Sequence, residues 1–270
     1  MNHKVSITKK DFAVVLCCTI FLLTSVGAIG SGGRRRAKES ICLSNLRQWG
    51  SAFAMYTNDN NGYFFTGELN GTRTGAGNGR FWRVLMRPYY KDKKILLCPQ
   101  ARTSYQQGMP AGDWPYMCWK LDGEAGSYGL NGWVLNLQAS QNPGDRINGW
   151  GREPAEAHWI TSHVAGAKNV PVFTGMWWVD AWPRETDSPP PRIGPLPDTP
   201  NVNEMNRACI NRHNGAVNVL FMDWSARKVG LKELWTLKWH RTFNTEGPWT
   251  KAGGVQPNNW PQWMRKFKDY

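Results

Sequence analysis

The sequence predicts an α+β fold: one long N-terminal helix packed on an antiparallel β-sheet head with long loops. Cys42, Leu46, Trp49, Phe53 and Tyr56 step by three or four residues, the spacing of a helix with one apolar face. Four short β-rich stretches, 128–137, 170–178, 217–222 and 226–229, are separated by turn-rich segments. Strands and helices do not alternate as they would in a doubly wound parallel sheet.

The chain opens with a basic head, and after Lys9 and Lys10 an uncharged run extends from Phe12 to Gly30. That run is long enough for a membrane helix or for the core of a signal peptide. As a signal it offers small residues at Val26-Gly27-Ala28 or Ala28-Ile29-Gly30 for cleavage, leaving an exported domain. As an anchor it keeps positive charge on both flanks, which leaves orientation open. In a third reading the helix continues through Gly33 to Thr57. It is then roughly 70 Å long at about 1.5 Å per residue, half in lipid and half on the head. It ends at Asn58-Asp59-Asn60-Asn61-Gly62, a cluster that reverses the chain.

Residues 67–79 hold five glycines and read as a loop. Phe81 to Arg87 is a short helix ended by Pro88, and Ile95 to Leu97 an apolar strand ended by Cys98-Pro99. Residues 105–126 and 138–158 are turn-rich and polar. Arg184 to Asn203, with Pro189-Pro190-Pro191, reads as an extended surface segment of polyproline character. In 217–222, Val217, Val219 and Phe221 form one apolar face. Trp224 follows Asp223, so a two-residue type I′ turn is replaced by a longer one. Leu231, Leu234, Trp235 and Trp239 fall at helical spacing and form a core face.

The chain resembles bacterial type IV pilin-like proteins and type II secretion pseudopilins, above all those with a prepilin-type N-terminus and a C-terminal His-x9-Asp-Gly motif. The resembling residues are Lys9-Lys10-Asp11-Phe12, Cys42-Leu43-Ser44-Asn45-Leu46-Arg47-Gln48 and Tyr56 to Phe64. They continue with Cys98-Pro99, Ser127-Tyr128-Gly129-Leu130-Asn131, Arg212-His213-Asn214-Gly215 and Asn218 to Asp223. The resemblance implies a basic leader over 1–11, a membrane helix over 12–33 and an exported head over 34–270. The location it implies is single-pass in the bacterial inner membrane, with the head periplasmic or extracellular. The implied role is a non-enzymatic, membrane-anchored structural or assembly component. Its partners are membrane lipid, other pilin-like subunits or secretion-system components, and a prepilin peptidase acting between Asp11 and Phe12. Asp11 stands where the family has Gly, and Leu16 where it has Glu, so processing and subunit alignment depart from the family pattern.

Formal charge is +13, concentrated at the ends: residues 1–39 hold seven Lys or Arg against two acids, and 227–270 nine against three. No helix-turn-helix, zinc-finger or RNA-binding signature accompanies it, which argues against a nucleic-acid partner and toward anionic headgroups. Of six cysteines, Cys17 and Cys18 lie in the apolar run. Cys42, Cys98, Cys118 and Cys209 lie in the head, where an oxidising compartment allows three pairings. The preferred one is Cys42 with Cys98 and Cys118 with Cys209. Zinc is the rival, without Cys-x2-Cys or Cys/His spacing to support it.

Among sixteen tryptophans, Trp177, Trp178 and Trp182 suggest a glycan-stacking platform, the basis of an alternative reading as a secreted or surface carbohydrate-binding protein; core packing is the simpler reading. Asp59, Asn61 and Glu68 occupy positions 3, 5 and 12 of an EF-hand-like calcium frame, with Gly62 at position 6. A helix-terminal turn is again simpler, so no cofactor is expected beyond this calcium candidate. His158, His163, His213 and His240 have no local metal-ligand spacing and make a site only by long-range convergence. A third reading, a periplasmic hydrolase, requires His213 and Asp223 to meet from opposite ends of one strand.

Overall fold

A computed structural model of the chain describes residues 8–28, 30, 32–66, 82–101, 103–104, 115–121, 123–140, 155–193 and 203–270, with the backbone alone at 22–28 and 103–104. The chain divides into two units, Met1–Lys38 and Glu39–Tyr270.

The N-terminal region corrects the anchor expectation. Helices α1 (Lys9–Ala28) and α2 (Gly32–Asp59) are separate, with a turn at Gly30, so no single helix runs from Phe12 to Thr57. Gly27, Gly30, Gly32 and Gly33 explain the break, because each glycine costs about 1 kcal/mol of helix propensity relative to alanine. Lys9, Lys10 and Asp11 fill the first turn of α1, and among the described residues no helix is long and apolar enough to cross a membrane. About 20 apolar residues are needed to span a bilayer core. The membrane-embedded first half, the anchor over 12–33 and the single-pass inner-membrane location are therefore not supported. Asp11 has a local task instead: its carboxylate accepts from the Thr8 amide at 2.9 Å and the Thr8 hydroxyl at 2.7 Å, while its own amide donates to Thr8 Oγ1. This is a reciprocal cap at the start of α1.

In the second unit the α+β class holds, but the main sheet is mixed. Its strands are β4 (Tyr128–Asn131), β5 (Pro171–Gly175), β6 (Asp180–Ala181), β7 (Ala216–Phe221) and β8 (Ala226–Gly230), in the order β6-β4-β5-β7-β8. Pairing is antiparallel except at the β4–β6 edge, where Leu130 lies opposite Asp180 in parallel. The short connection from β5 carries the chain past β4. Buried Arg207 then holds β6 there by its ion pair to Asp180 at 3.2 Å and bonds Glu204 at 3.3 Å. A smaller sheet joins β1 (Thr103–Ser104), β2 (Met117–Leu121) and β3 (Glu124–Gly126), with β1 and β2 parallel.

Strands β4, β5 and β7 are buried along their whole length, so the sheet centre is the core. The stripe Cys42, Leu46, Trp49 and Phe53 of α2 is buried, and Tyr56 is half-buried. Trp49 and Phe53 meet Phe173 of β5 at ring-centroid distances of 5.0 and 5.5 Å. Gly50 permits this approach: a Cβ there would stand 3.0 Å from both Leu220 Cδ1 and the Trp224 carbonyl. Trp224 adopts φ +65°, the left-handed region that the sequence reading had not assigned to a tryptophan. Its amide donates to the Phe221 carbonyl at 2.9 Å, and its ring stacks on Phe53 at 2° between planes. Ring packing thus accompanies a left-handed backbone, and the β7–β8 loop is longer than two residues, as expected.

Two local expectations change. The 95–97 segment is the end of a 3-10 turn, Lys93–Leu96, because Asp92 caps it by accepting from the Lys94 amide. The 231–239 helix shortens to a 3-10 turn, Lys232–Thr236, yet Leu231, Leu234, Trp235 and Trp239 are all buried.

The described part of the proline segment is partly docked: Pro189 and Pro190 are buried, and Trp263 donates to the Pro190 carbonyl at 2.9 Å. Within it, burial pushes the Asp187 carboxyl up to about 6, against the opposing amides of Arg184 and Met205. A carboxyl with a raised folded pKa binds protons more tightly when folded. Its stabilising contribution is complete below the unfolded value of 3.8 and is lost as pH rises toward 6. Asp187→Asn, which keeps an acceptor oxygen and removes the charge, is expected to gain about 1–2 kcal/mol over wild type between pH 4 and pH 7. Urea unfolding of both proteins across that range checks it; parallel curves would contradict it.

Candidate functional site

Three segments far apart in sequence meet beside α2. Cys42 sits on the buried stripe of α2, one turn before Leu46. Cys98 leaves the Lys93–Leu96 turn, and its amide donates to Ser127 Oγ at 2.6 Å, which ties it to the start of β4. His213 precedes β7 in a turn closed by its own amide on the Ala216 carbonyl at 3.0 Å. Asn214 and Gly215 in that turn take positive φ.

Cys42 Sγ, Cys98 Sγ and a ring nitrogen of His213 all lie within 4.8 Å of one another. Cys98 Sγ is 3.5 Å from His213 Nε2 and 3.5 Å from the Gln100 amide, which donates to it. The Tyr128 hydroxyl donates to Cys42 Sγ at 3.1 Å. All four side chains are nearly sealed from solvent, at 1% exposure for Cys42, 0% for Cys98, 3% for His213 and 0% for Tyr128. His213 Nδ1 is buried and has no hydrogen-bond partner among the described residues.

Arg212, the neighbour of His213, fixes the surroundings. Its Nε donates to the Pro115 carbonyl at 2.8 Å, Nη1 to Ser127 at 2.6 Å, and Nη2 to Met117 at 2.8 Å and Met176 at 3.2 Å. One guanidinium thus clamps the β2 edge, the entry to β4 and the exit of β5 around the cluster.

The two thiols differ electrostatically. Burial drives both upward, but at Cys98 it is outweighed by the hydrogen bond from Cys42, by His213 and by the Arg212 charge, which together pull it down to about 4. Cys42 is raised well above the usual thiol range by burial and by the adjacent Cys98, so it keeps the shared proton. Tyr128 is raised by burial and then by the neighbouring sulfurs, and remains a neutral donor. Two sulfurs and an imidazole at this spacing suit soft or borderline metal coordination and dithiol chemistry.

The cysteines expected to pair are all unbridged: Cys42 and Cys98 are adjacent thiols, and Cys118 and Cys209 are buried thiols. Other candidates lie elsewhere. Asp59 ends α2 and is exposed. Asn61 and Gly62 take positive φ in the reversing turn, with the Gly62 amide on the Thr57 carbonyl at 2.7 Å. Glu68 lies outside the described residues. Trp177 and Trp182 are buried and Trp178 half-buried, and the Trp177 indole donates to the Asn206 carbonyl. Asp223 is exposed past the far end of β7, bonded to Ser225 at 2.6 Å; it does not join His213. His240 stands with Glu185 at 3.3 Å.

The sequence reading had not assigned a role to Arg212 or to Tyr128. Both are in segments quoted for the pilin resemblance, but their shared destination is set by contacts among segments as far apart as Cys98 and His213. The chain matches no protein-family model, no curated protein sequence and no solved structure.

Proposed function

We propose that this protein is a non-enzymatic structural or assembly component, the role that its resemblance to pilin-like proteins implies, exercised by the 39–270 head. The supporting observation is where the resembling residues go. Cys42, Cys98, Ser127, Tyr128, Arg212 and His213 come from four separate stretches of chain and converge in one buried knot. Residues that act on a substrate must be reachable by it, whereas residues that maintain a shape are best sealed in the core. The glycan reading lacks its platform, since two of the three indoles are inside the core. The hydrolase reading lacks its dyad.

An assembly component needs an outward face. On α2 the large apolar side chains Ile41 and Met55 are 50% and 48% exposed, off the buried stripe. A photo-crosslinking amino acid placed at Ile41 or Met55 in the native host is expected to give adducts with a second copy or with other pilin-like subunits. Adducts absent at both positions, with the protein folded and expressed at its normal level, would overturn the assembly role.

A further inference from the structure

We propose that Cys42 Sγ, Cys98 Sγ and His213 Nε2 are the protein ligands of a structural metal site for a thiophilic ion, Zn2+ by choice of donors. The geometry carries it. Around a tetrahedral zinc, bond lengths of about 2.3 Å to sulfur and 2.1 Å to nitrogen put neighbouring donor atoms roughly 3.6–3.8 Å apart. The observed Cys98 Sγ to His213 Nε2 separation is 3.5 Å, and the whole donor set fits within 4.8 Å. Two sulfurs and one imidazole are the donor types that favour zinc over magnesium or calcium.

Burial points the same way. Inside this sealed pocket His213 turns Nε2, and not Nδ1, toward Cys98 Sγ, so Nε2 is the nitrogen that meets an ion held by the sulfurs. Zn2+ bound by two thiolates is electrically neutral, which suits a site with at most 3% exposure at any ligand. On binding, the proton that Cys42 keeps for the pair goes to solvent, two sulfur–metal bonds and one nitrogen–metal bond form, and no oxidant is required. The surroundings supply an outer shell: the Gln100 amide donates to Cys98 Sγ. The Tyr128 hydroxyl donates to Cys42 Sγ at 3.1 Å and orients that sulfur. Joined this way, the ion ties α2 to the start of β4 and to the lead-in of β7.

The test uses the full chain purified under reducing conditions. Elemental analysis is expected to find about one zinc per chain. Replacement by Co2+ is expected to give the visible d–d bands of a tetrahedral site with a near-ultraviolet thiolate-to-cobalt band. Cys98→Ser and His213→Ala are expected to weaken cobalt binding by about 100-fold or more, while Cys17→Ser leaves it unchanged. His213→Cys, which restores a ligand at that position, is expected to keep one cobalt with a stronger charge-transfer band, and it guards against variants that merely fail to fold. A wild-type chain without cobalt bands overturns the site, whether its thiols all react in denaturant or its mass is lower by two hydrogens with Cys42 linked to Cys98. Metal content is read on the isolated chain and crosslinks in the native host, so this inference and the assembly role fail separately.

Discussion

Arg212→Met is expected to lower stability by about 4–5 kcal/mol, a large share of the 5–15 kcal/mol that holds a typical domain together. The guanidinium is 2% exposed and donates to four backbone carbonyls, those of Pro115, Met117, Ser127 and Met176. Methionine fills much of the volume but donates nothing, so four carbonyls lose a charged partner, and each buried unsatisfied group costs about 1–3 kcal/mol before relaxation. Arg212→Lys keeps the charge on a single ammonium that cannot span the fork, and is expected to recover only about half of the loss. Urea unfolding of the three proteins gives the order wild type, Lys, Met. A methionine variant within 1 kcal/mol of wild type would show that the clamp is dispensable.

Trp49→Ala is expected to cost about 3–5 kcal/mol. Trp49 is fully buried on α2 and touches Phe53, Trp82, Tyr90 and Phe173 with ring centroids between 4.7 and 5.9 Å. Alanine leaves a cavity at the junction of helix and sheet, and the Ile95 carbonyl loses the indole donor at 2.9 Å. Trp49→Phe separates the two contributions: it keeps most of the ring contact, loses the hydrogen bond, and is expected to cost about 1–2 kcal/mol. Thermal unfolding monitored by far-ultraviolet circular dichroism reads both, and equal losses for the two variants would place the whole effect in the hydrogen bond.

Local periodicity explains what was legible in the sequence. Cys42, Leu46, Trp49 and Phe53 lie on one face of any α-helix, whatever packs against them, and they are buried here. The alternation in 217–222 and the turn at Asp223 likewise anticipated the β7–β8 hairpin. Burial of Leu231, Leu234, Trp235 and Trp239 was also legible, although the backbone there tightens to a 3-10 turn. Long-range properties were not legible. The apolar run from Phe12 read as half of one continuous helix, but the glycines between 27 and 33 divide it. Trp224 after Asp223 pointed to a longer loop, yet nothing local required Trp224 itself to turn left-handed; its ring found Phe53 across the core.

The candidate site divides in the same way. Cys42 and Cys98 were singled out as partners, and His213 as a motif residue, each from its own neighbourhood. That the imidazole would stand 3.5 Å from Cys98 Sγ, and not beside Asp223, depended on β7 carrying its two ends apart. Strand direction is a local property and the neighbour met at its end is not. The sequence by itself therefore determined the α+β class, the buried stripe of α2 and the residue types available for chemistry, because these follow from spacing and side-chain character along a few turns. Only the tertiary structure decided the mixed sheet and the sealed meeting of two thiols and an imidazole. Those depend on which distant segments share a core, and that choice is made by the whole set of buried contacts at once.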